Sequence, residues 1–213
     1  MLASQVAARY GGQDCAIVGL SDGGVMVGAQ IAVQLHAVLS MLLTENIDLP
    51  RELVPVAGVV VNGTFGYNRA YSEGEIYDIV SEYRGVIEQQ KLEKLHNLHM
   101  ATRGAGLIRE DLLQNKHVIL VDDGMPDGFL IDLALEYLKP ISIRSLIVAT
   151  PFASVRAVDR MHVLADDIYC LNVLEDYMST DHYYDTRDVP SHEVIIDTIA
   201  RIIGGWNTTP RPV

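Results

Sequence analysis

The chain has 213 residues, 49% of them apolar, and a formal net charge of −12. Its length and apolar content fit one compact domain with its own core. This acidic chain lacks the clusters of Lys and Arg that bind the phosphate backbone of a nucleic acid. We therefore expect no nucleic-acid partner. Its apolar runs are far shorter than the roughly 18 residues of a membrane helix, and no signal-peptide pattern opens it. We therefore expect no membrane partner and a cytoplasmic location.

The first half of the chain alternates between strand and helix patterns. Ile76, Val80, Tyr83 and Ile87 recur at helical spacing with charges between them, which predicts a long amphipathic helix over residues 75–100. The other predicted elements are a helix at 3–10, a strand at 15–20, a tight turn at 21–24, a helix at 25–35 and apolar strand-like runs at 38–43 and 56–61.

The second half repeats this alternation. Its predicted elements are strands at 118–121, 143–149 and 168–174, helices at 129–138 and 154–164, and a C-terminal helix through Ile195, Ile199 and Ile202 that Gly204 and Gly205 end. Ser154 is the predicted N-cap of the helix at 154–164. The alternation predicts an α/β fold, a single domain with a mostly parallel sheet flanked by helices, over residues 1–205, followed by a tail at 206–213.

The two cysteines, Cys15 and Cys170, each lie within an apolar segment that is predicted to be a strand. This placement favours buried thiols over a disulfide or a zinc site.

In an open parallel sheet, ligands bind beyond the carboxyl ends of the strands. The loop after the strand at 118–121 has two carboxylates, a glycine-rich turn and a helix start, which together can aim backbone N–H groups at a phosphate. Its candidate ligand-binding residues are Asp122, Asp123, Gly124, Met125, Pro126, Asp127, Gly128, Phe129 and Leu130.

This strand with its Asp-Asp-Gly-x-x-x-Gly loop resembles the phosphoribosyl-pyrophosphate (PRPP) motif of the type I phosphoribosyltransferases. The resemblance implies that Asp122 and Asp123 bind ribose and that the rest of the loop holds the 5′-phosphate. A second loop, Ser21, Asp22, Gly23 and Gly24, is similar to the pyrophosphate loop of that family. The family resemblance also implies a homo-oligomer, a dimer, and a small phosphorylated ligand.

Three residues depart from the pattern of that family. Asp127 and Leu130 stand where the 5′-phosphate loop of the family has hydroxyl side chains, and Asp22 stands where its pyrophosphate loop has Arg. A carboxylate about 4 Å from a phosphate charge costs about 1 kcal/mol in water and about 4 kcal/mol at an effective dielectric of 20. We therefore expect impaired PRPP chemistry.

The leading hypothesis is a phosphoribosyltransferase-fold protein that acts as a nucleotide- or phosphate-ligand binding or regulatory module. One alternative is an active, Mg²⁺-dependent phosphoribosyltransferase for an unidentified base, with Mg²⁺ held by converging carboxylates, above all Asp122 and Asp123. Another is a purely structural subunit.

Basic and aromatic side chains complete the candidate set. Arg69 and Arg103, within connections at 67–71 and 102–106 that are candidate lid hinges, are predicted to contact an anion. One of Tyr177, Tyr183 and Tyr184 could stack on a base, or these tyrosines could form a subunit contact.

Two other motifs leave alternatives open. Gly19 to Gly23 spells the Gly-x-Ser-x-Gly pattern of α/β-hydrolases, with Ser21 as nucleophile and His182 or His192 as its partner. His96 and His99 could share a metal, although solvated surface histidines are the simpler interpretation.

Overall fold

The protein is described by a computed structural model that covers residues 1–52, 54–101, 108, 110–185, 189–191, 194–199 and 202. It divides into two compact units. The large unit comprises Met1–Leu42, Ala105–Gly128 and Ile141–Val213, and the small unit comprises Leu43–Gly104 and Phe129–Pro140. Within these described ranges, no helix is long and apolar enough to cross a membrane.

The regular elements alternate between strand and helix along most of the chain. The strands are β1 Cys15–Gly19, β2 Val38–Met41, β3 Thr44–Ile47, β4 Ala57–Val60, β5 Phe65–Tyr67, β6 His117–Val121, β7 Ser145–Ser154 and β8 Asp167–Leu174. The α-helices are α1 Leu2–Tyr10, α2 Asp22–Leu35, α3 Glu73–Ala101, α4 Phe129–Leu138 and α5 Val155–Leu164. Short 3₁₀ turns lie at Glu110–Leu112 and Thr180–Tyr183.

The large unit is built on a five-stranded parallel sheet with the order β2-β1-β6-β7-β8. Every residue of β1 is buried, and so are the last four residues of β6. Such continuous apolar strands are typical of a parallel sheet that is covered on both faces. Helices α1, α2 and α5 pack against its strands. The predicted fold class, a mostly parallel sheet flanked by helices, is confirmed.

Helix α2 corrects one prediction. Residues 22–24 form the first turn of this helix and not a tight turn before it. Ser21 is the N-cap, and its Oγ accepts a hydrogen bond from the Gly24 N–H at 2.9 Å. This cap starts the helix early despite the glycines, which otherwise disfavour helix interiors.

The small unit contains a three-stranded antiparallel sheet, β3-β4-β5, with α3 and α4. Its core includes Ile47, Leu49, Val56, Ala57 and Ile87. The sequence did not predict β3 and β5, because these short strands contain polar residues or glycine and lack a long apolar run. The long helix α3 is confirmed, with non-helical dihedral angles at Tyr83.

Smaller predictions have mixed outcomes. Strand β7 continues to Ser154, five residues beyond its predicted end, because β8 pairs with it as far as Ser154. Cys15 is buried and Cys170 is half-buried, both with free thiols. Residues 194–199 are helical as predicted, whereas Gly204, Gly205 and the tail at 206–213 lie outside the described residues.

Candidate functional site

The two loops singled out by sequence follow neighbouring strands. Strands β1 and β6 pair in parallel, and β2 lies on the other side of β1. After β1, the chain forms β2 on one side of β1, and it later forms β6 on the other side. The sheet therefore has a topological switch point between β1 and β6. Ligands of open α/β sheets bind at the carboxyl ends of the strands at such a point.

The first loop, here called the glycine loop, comprises residues 21–24 and forms the capped start of α2. It lies directly against the end of β6. A methyl group on Gly24 would be 2.6 Å from the Val121 carbonyl oxygen and 3.0 Å from Asp122 Cα. Only glycine therefore fits there, and its small size brings the two loops into contact.

The second loop, here called the acidic loop, comprises residues 122–128 and opens with the carboxylate pair. Asp122 is buried, with 3% of its surface exposed, and Asp123 is half-buried. The Ser21 hydroxyl bonds the Asp122 carboxylate and lies 3.1 Å from Asp123 Oδ1. The Asp123 carboxylate rests against Gly23, where a methyl group would be 2.0 Å from Asp123 Oδ2. Both carboxylates therefore lie against the first turn of α2.

The environment of Asp122 favours its neutral form. Burial raises the pKa of the Asp122 carboxyl well above its ordinary value, and the nearby charge of Asp123 raises this pKa further. Hydrogen bonds from Ser21 and from the Asp123 backbone N–H, 3.1 Å from Asp122 Oδ1, oppose this shift but do not outweigh it. Asp122 thus holds its proton to a higher pH than a solvated aspartate would.

The rest of the acidic loop is attached to β7 and α5. The Met125 N–H donates to the Phe152 carbonyl at 2.9 Å, and the Ser154 N–H donates to the Met125 carbonyl at 3.0 Å. Ser154 Oγ also donates to the Pro126 carbonyl at 2.8 Å. Gly128 lies against the Arg160 side chain, since a methyl group there would be 2.2 Å from Arg160 Cγ.

The remaining residues of the predicted phosphate loop lie at its end. Asp127 is half-buried in the acidic loop, whereas Phe129 and Leu130 are the first two residues of α4. Phe129 is buried in the small unit, where its ring lies near Gly58. The predicted role of these residues toward a phosphate stays a prediction.

Aromatic side chains surround the start of the acidic loop. The Tyr184 hydroxyl donates to the Asp123 carbonyl at 2.8 Å, and Tyr183 stacks on Phe152 with ring centroids 5.4 Å apart. Tyr177 and Thr180, whose hydroxyls are 2.8 Å apart, leave room only for glycine at position 124. The three tyrosines were sequence candidates, but Phe152 and Thr180 were not. No local pattern marks these two residues, because long-range folding brings them to the loop.

The two predicted anion-contacting arginines have different outcomes. Arg69 lies in the small unit, where its guanidinium faces Asp132 and Glu136, each at 3.7 Å. Its predicted contact with an anionic ligand stays a prediction, and Arg103 lies outside the described residues.

Within the described part of the chain, we find neither a cluster of metal ligands nor a histidine bonded to Ser21. No group of three or more His, Cys, Asp or Glu side chains that could hold a metal ion occurs there. The predicted binding of Mg²⁺ by Asp122 and Asp123 stays a prediction, and two carboxylates would leave room for further ligands such as water or phosphate. The Ser21 hydroxyl bonds carboxylates, not His182, and His192 lies outside the described residues. His99 Nε2 lies 2.9 Å from the Val61 carbonyl oxygen.

Comparison with known proteins assigns the family. The sequence matches the phosphoribosyl transferase domain model over residues 1–185. The crystal structure of TT1426 from Thermus thermophilus has the same fold, with 22% identity and a TM-score of 0.66 over 96% of this chain and 93% of that chain. A hypoxanthine phosphoribosyltransferase from Staphylococcus aureus has 14% identity and a TM-score of 0.48, with coverage of 82% and 70%. The family match spans both compact units, and the chain therefore belongs to the phosphoribosyl transferase domain family.

Proposed function

We propose that this protein is a ligand-binding or regulatory member of its family in which PRPP chemistry is impaired. The observation that carries the proposal is the contact between the two loops. Ser21 bonds the acidic pair, and the Asp123 carboxylate lies on Gly23 in the first turn of α2.

This contact changes what the glycine loop can bind. The start of a helix carries partial positive charge and exposed N–H groups, which favour an anion. Here the carboxylates of the chain lie at that position, and the Gly24 N–H already donates to Ser21 Oγ. A pyrophosphate group would have to displace Asp123 or lie beside its charge, at a cost of about 1 to 4 kcal/mol for each charge pair at 4 Å.

Asp22 and Asp127 add to this repulsion. Asp22 is the first residue of α2, and Asp127 precedes α4 within the acidic loop. Both stand where the family pattern has groups that attract phosphate. Transfer of a phosphoribosyl group needs positive charge around the leaving pyrophosphate, because stabilising that charge provides much of the rate.

The ligand that fits best is a nucleoside or nucleotide whose sugar, not its phosphate, provides the main contacts. Asp123 is half-buried at the switch point, and carboxylate oxygens accept hydrogen bonds from ribose hydroxyls. The aromatic rings of Phe152 and Tyr183 lie close to this loop and offer apolar surface for a base.

A second candidate is an active, Mg²⁺-dependent phosphoribosyltransferase. It is favoured by one observation, the position of Asp122 and Asp123 at the carboxyl end of β6 beside the switch point. In this case Asp123 and Asp122 would hold Mg²⁺ together with the phosphates of PRPP.

An activity assay separates these two functions. PRPP and Mg²⁺ are incubated with the protein and a panel of purine and pyrimidine bases, and pyrophosphate release is measured. We expect no release above the protein-free control. Base-dependent release that the Asp123→Asn variant abolishes would establish the second candidate instead.

A further inference from the structure

The small unit has a cavity that is lined entirely by its own residues. The cavity has a volume of about 530 Å³, and its lining comes from two stretches, 65–76 and 132–136. Small-molecule sites usually have volumes of about 300 to 1,000 Å³. The cavity is therefore large enough for a metabolite, and its lining includes neither the glycine loop nor the acidic loop.

One side of the cavity is the edge of the small sheet. All three residues of β5 line the cavity, and β5 is the last strand in the order β3-β4-β5. The Asn68 N–H donates to the Val56 carbonyl at 2.9 Å, so residue 68 faces β4. Successive residues of an antiparallel strand turn their backbone groups to opposite sides. The N–H and C=O groups of Phe65 and Tyr67 therefore point away from β4, toward the outer edge.

These four backbone groups are available to a ligand. In the part of the chain that the structure describes, no other group hydrogen-bonds the N–H or C=O of Phe65 or Tyr67 on this outer side. An unpaired strand edge offers donors and acceptors in an alternating row. An amide group carries one donor and one acceptor function, and it therefore matches such an edge.

Apolar side chains form another part of the lining. Tyr71 lies in the stretch after β5, Ile76 belongs to α3 and Leu133 belongs to α4. Phe65 also lines the cavity, but Lys91 Nζ already lies over its ring, 4.7 Å from the centroid. The apolar surface that remains for a ligand is therefore provided mainly by Tyr71, Ile76 and Leu133.

The charged side chains at the cavity are largely paired with one another. The Arg69 guanidinium lies 3.7 Å from both Asp132 and Glu136, and Lys139, just after α4, also pairs with Glu136. These two cations and two carboxylates balance. Glu73 also lines the cavity but is exposed, and an exposed ion pair contributes little. A charged ligand would lose hydration without gaining a buried partner, so the lining favours an uncharged one.

We propose that this cavity binds a small uncharged molecule that combines an aromatic or apolar body with an amide group. The amide exchanges hydrogen bonds with the outer edge of β5, and the body packs against Tyr71, Ile76 and Leu133. This site is separate in its residues from the two loops on which the proposed function rests.

Three probes with the same ring system and different charge test the proposal. Indole-3-acetamide, tryptamine and indole-3-acetate are titrated into the protein by calorimetry, and the backbone amides of Phe65 and Tyr67 are followed by NMR. We expect indole-3-acetamide to bind and to shift both signals, and each charged probe to bind at least about tenfold more weakly. Equal or tighter binding of a charged probe, or no binding of indole-3-acetamide at millimolar concentration, would overturn the proposal.

A fourth probe tests the amide itself. The methyl ester of indole-3-acetate is uncharged and keeps the carbonyl group but has no N–H to donate to the edge of β5. We expect it to bind about three- to tenfold more weakly than indole-3-acetamide. Equal affinity would contradict recognition of the amide by the strand edge.

A matched pair of variants locates the binding. Tyr71→Leu removes an aromatic ring from the lining, whereas Tyr77→Leu removes a ring from α3 that is 75% exposed and lies outside the lining. We expect the first variant to lose about three- to tenfold in affinity for indole-3-acetamide and the second to match the natural protein. Equal affinities in the two variants would place the probe elsewhere. None of the probes carries phosphate, so the outcome is independent of PRPP binding.

Discussion

At the scale of single residues, glycine sets how closely the two loops approach. Gly24 lies against the Val121 carbonyl oxygen, and a methyl group at position 24 would be only 2.6 Å from that oxygen. A backbone oxygen cannot move aside as a flexible side chain can. Position 24 therefore couples the start of α2 to the end of β6.

We expect Gly24→Ala to lower the free energy of unfolding by about 1 to 3 kcal/mol, because the added methyl forces the loops apart. The matched control is Gly85→Ala in α3, where a methyl group meets nothing within 4 Å. The control should gain about 0.5 to 1 kcal/mol from the higher helix propensity of Ala. Urea unfolding measures both, and a neutral Gly24→Ala would contradict the close contact.

Asp122 makes stability depend on pH. Burial and then the charge of Asp123 raise the pKa of Asp122 in the folded state, so the folded protein binds more protons than the unfolded chain. The stability contribution of the neutral group is complete below the unfolded pKa of about 3.9 and is lost as the pH rises through the higher folded pKa.

Asp122→Asn removes this titration and keeps an oxygen that can accept from Ser21 and the Asp123 N–H. We expect the stability of the variant relative to the natural protein to increase as the pH rises from about 4 toward the raised folded pKa. Urea unfolding at a series of pH values measures this difference. A difference that is constant with pH would show that Asp122 ionises as a solvated aspartate does.

At the scale of elements, the junction of β7 and α5 holds the acidic loop in place. Ser154 ends β7 and caps α5, and its Oγ bonds both the Ala157 N–H at 3.0 Å and the Pro126 carbonyl at 2.8 Å. One buried hydroxyl thus starts a helix and fixes the loop that precedes α4.

We expect Ser154→Ala to lower the free energy of unfolding by about 1 to 3 kcal/mol, because it leaves both partners without this hydrogen bond. Ser179→Ala is the control, since Ser179 precedes a 3₁₀ turn and makes no capping hydrogen bond with its side chain. The control should change stability by less than about 0.5 kcal/mol in thermal or urea unfolding. Equal losses in the two variants would count against the capping role of Ser154.

Elements with strong local signals could be predicted, and those without could not. The helix α4 begins and ends at its predicted residues, and the cap at Ser154 is confirmed, because apolar periodicity and capping are local properties. The strands β3 and β5 were missed because they are short, contain polar residues or glycine and lack a long apolar run. Ser21 and the acidic pair were each predicted, but the hydrogen bonds that join them were not, because about 100 residues of chain separate the partners.

At the scale of the whole molecule, the alternation of strands and helices was enough to predict the fold, and the family match over residues 1–185 agrees with it. The proposed function depends on a much smaller part of the chain, a few side chains at the switch point. There the carboxylates of the acidic pair lie against the start of α2, and an acidic chain with a net charge of −12 adds long-range repulsion toward phosphates.

The most direct test of impaired PRPP chemistry is calorimetric titration of PRPP, with and without Mg²⁺, into the natural protein and into the double variant Asp22→Arg, Asp127→Thr. The variant replaces two repelling carboxylates by the residue types of the family pattern. We expect micromolar binding with the variant only. Micromolar, Mg²⁺-dependent binding by the natural protein would contradict the proposal and identify the carboxylates as a metal-assisted PRPP site.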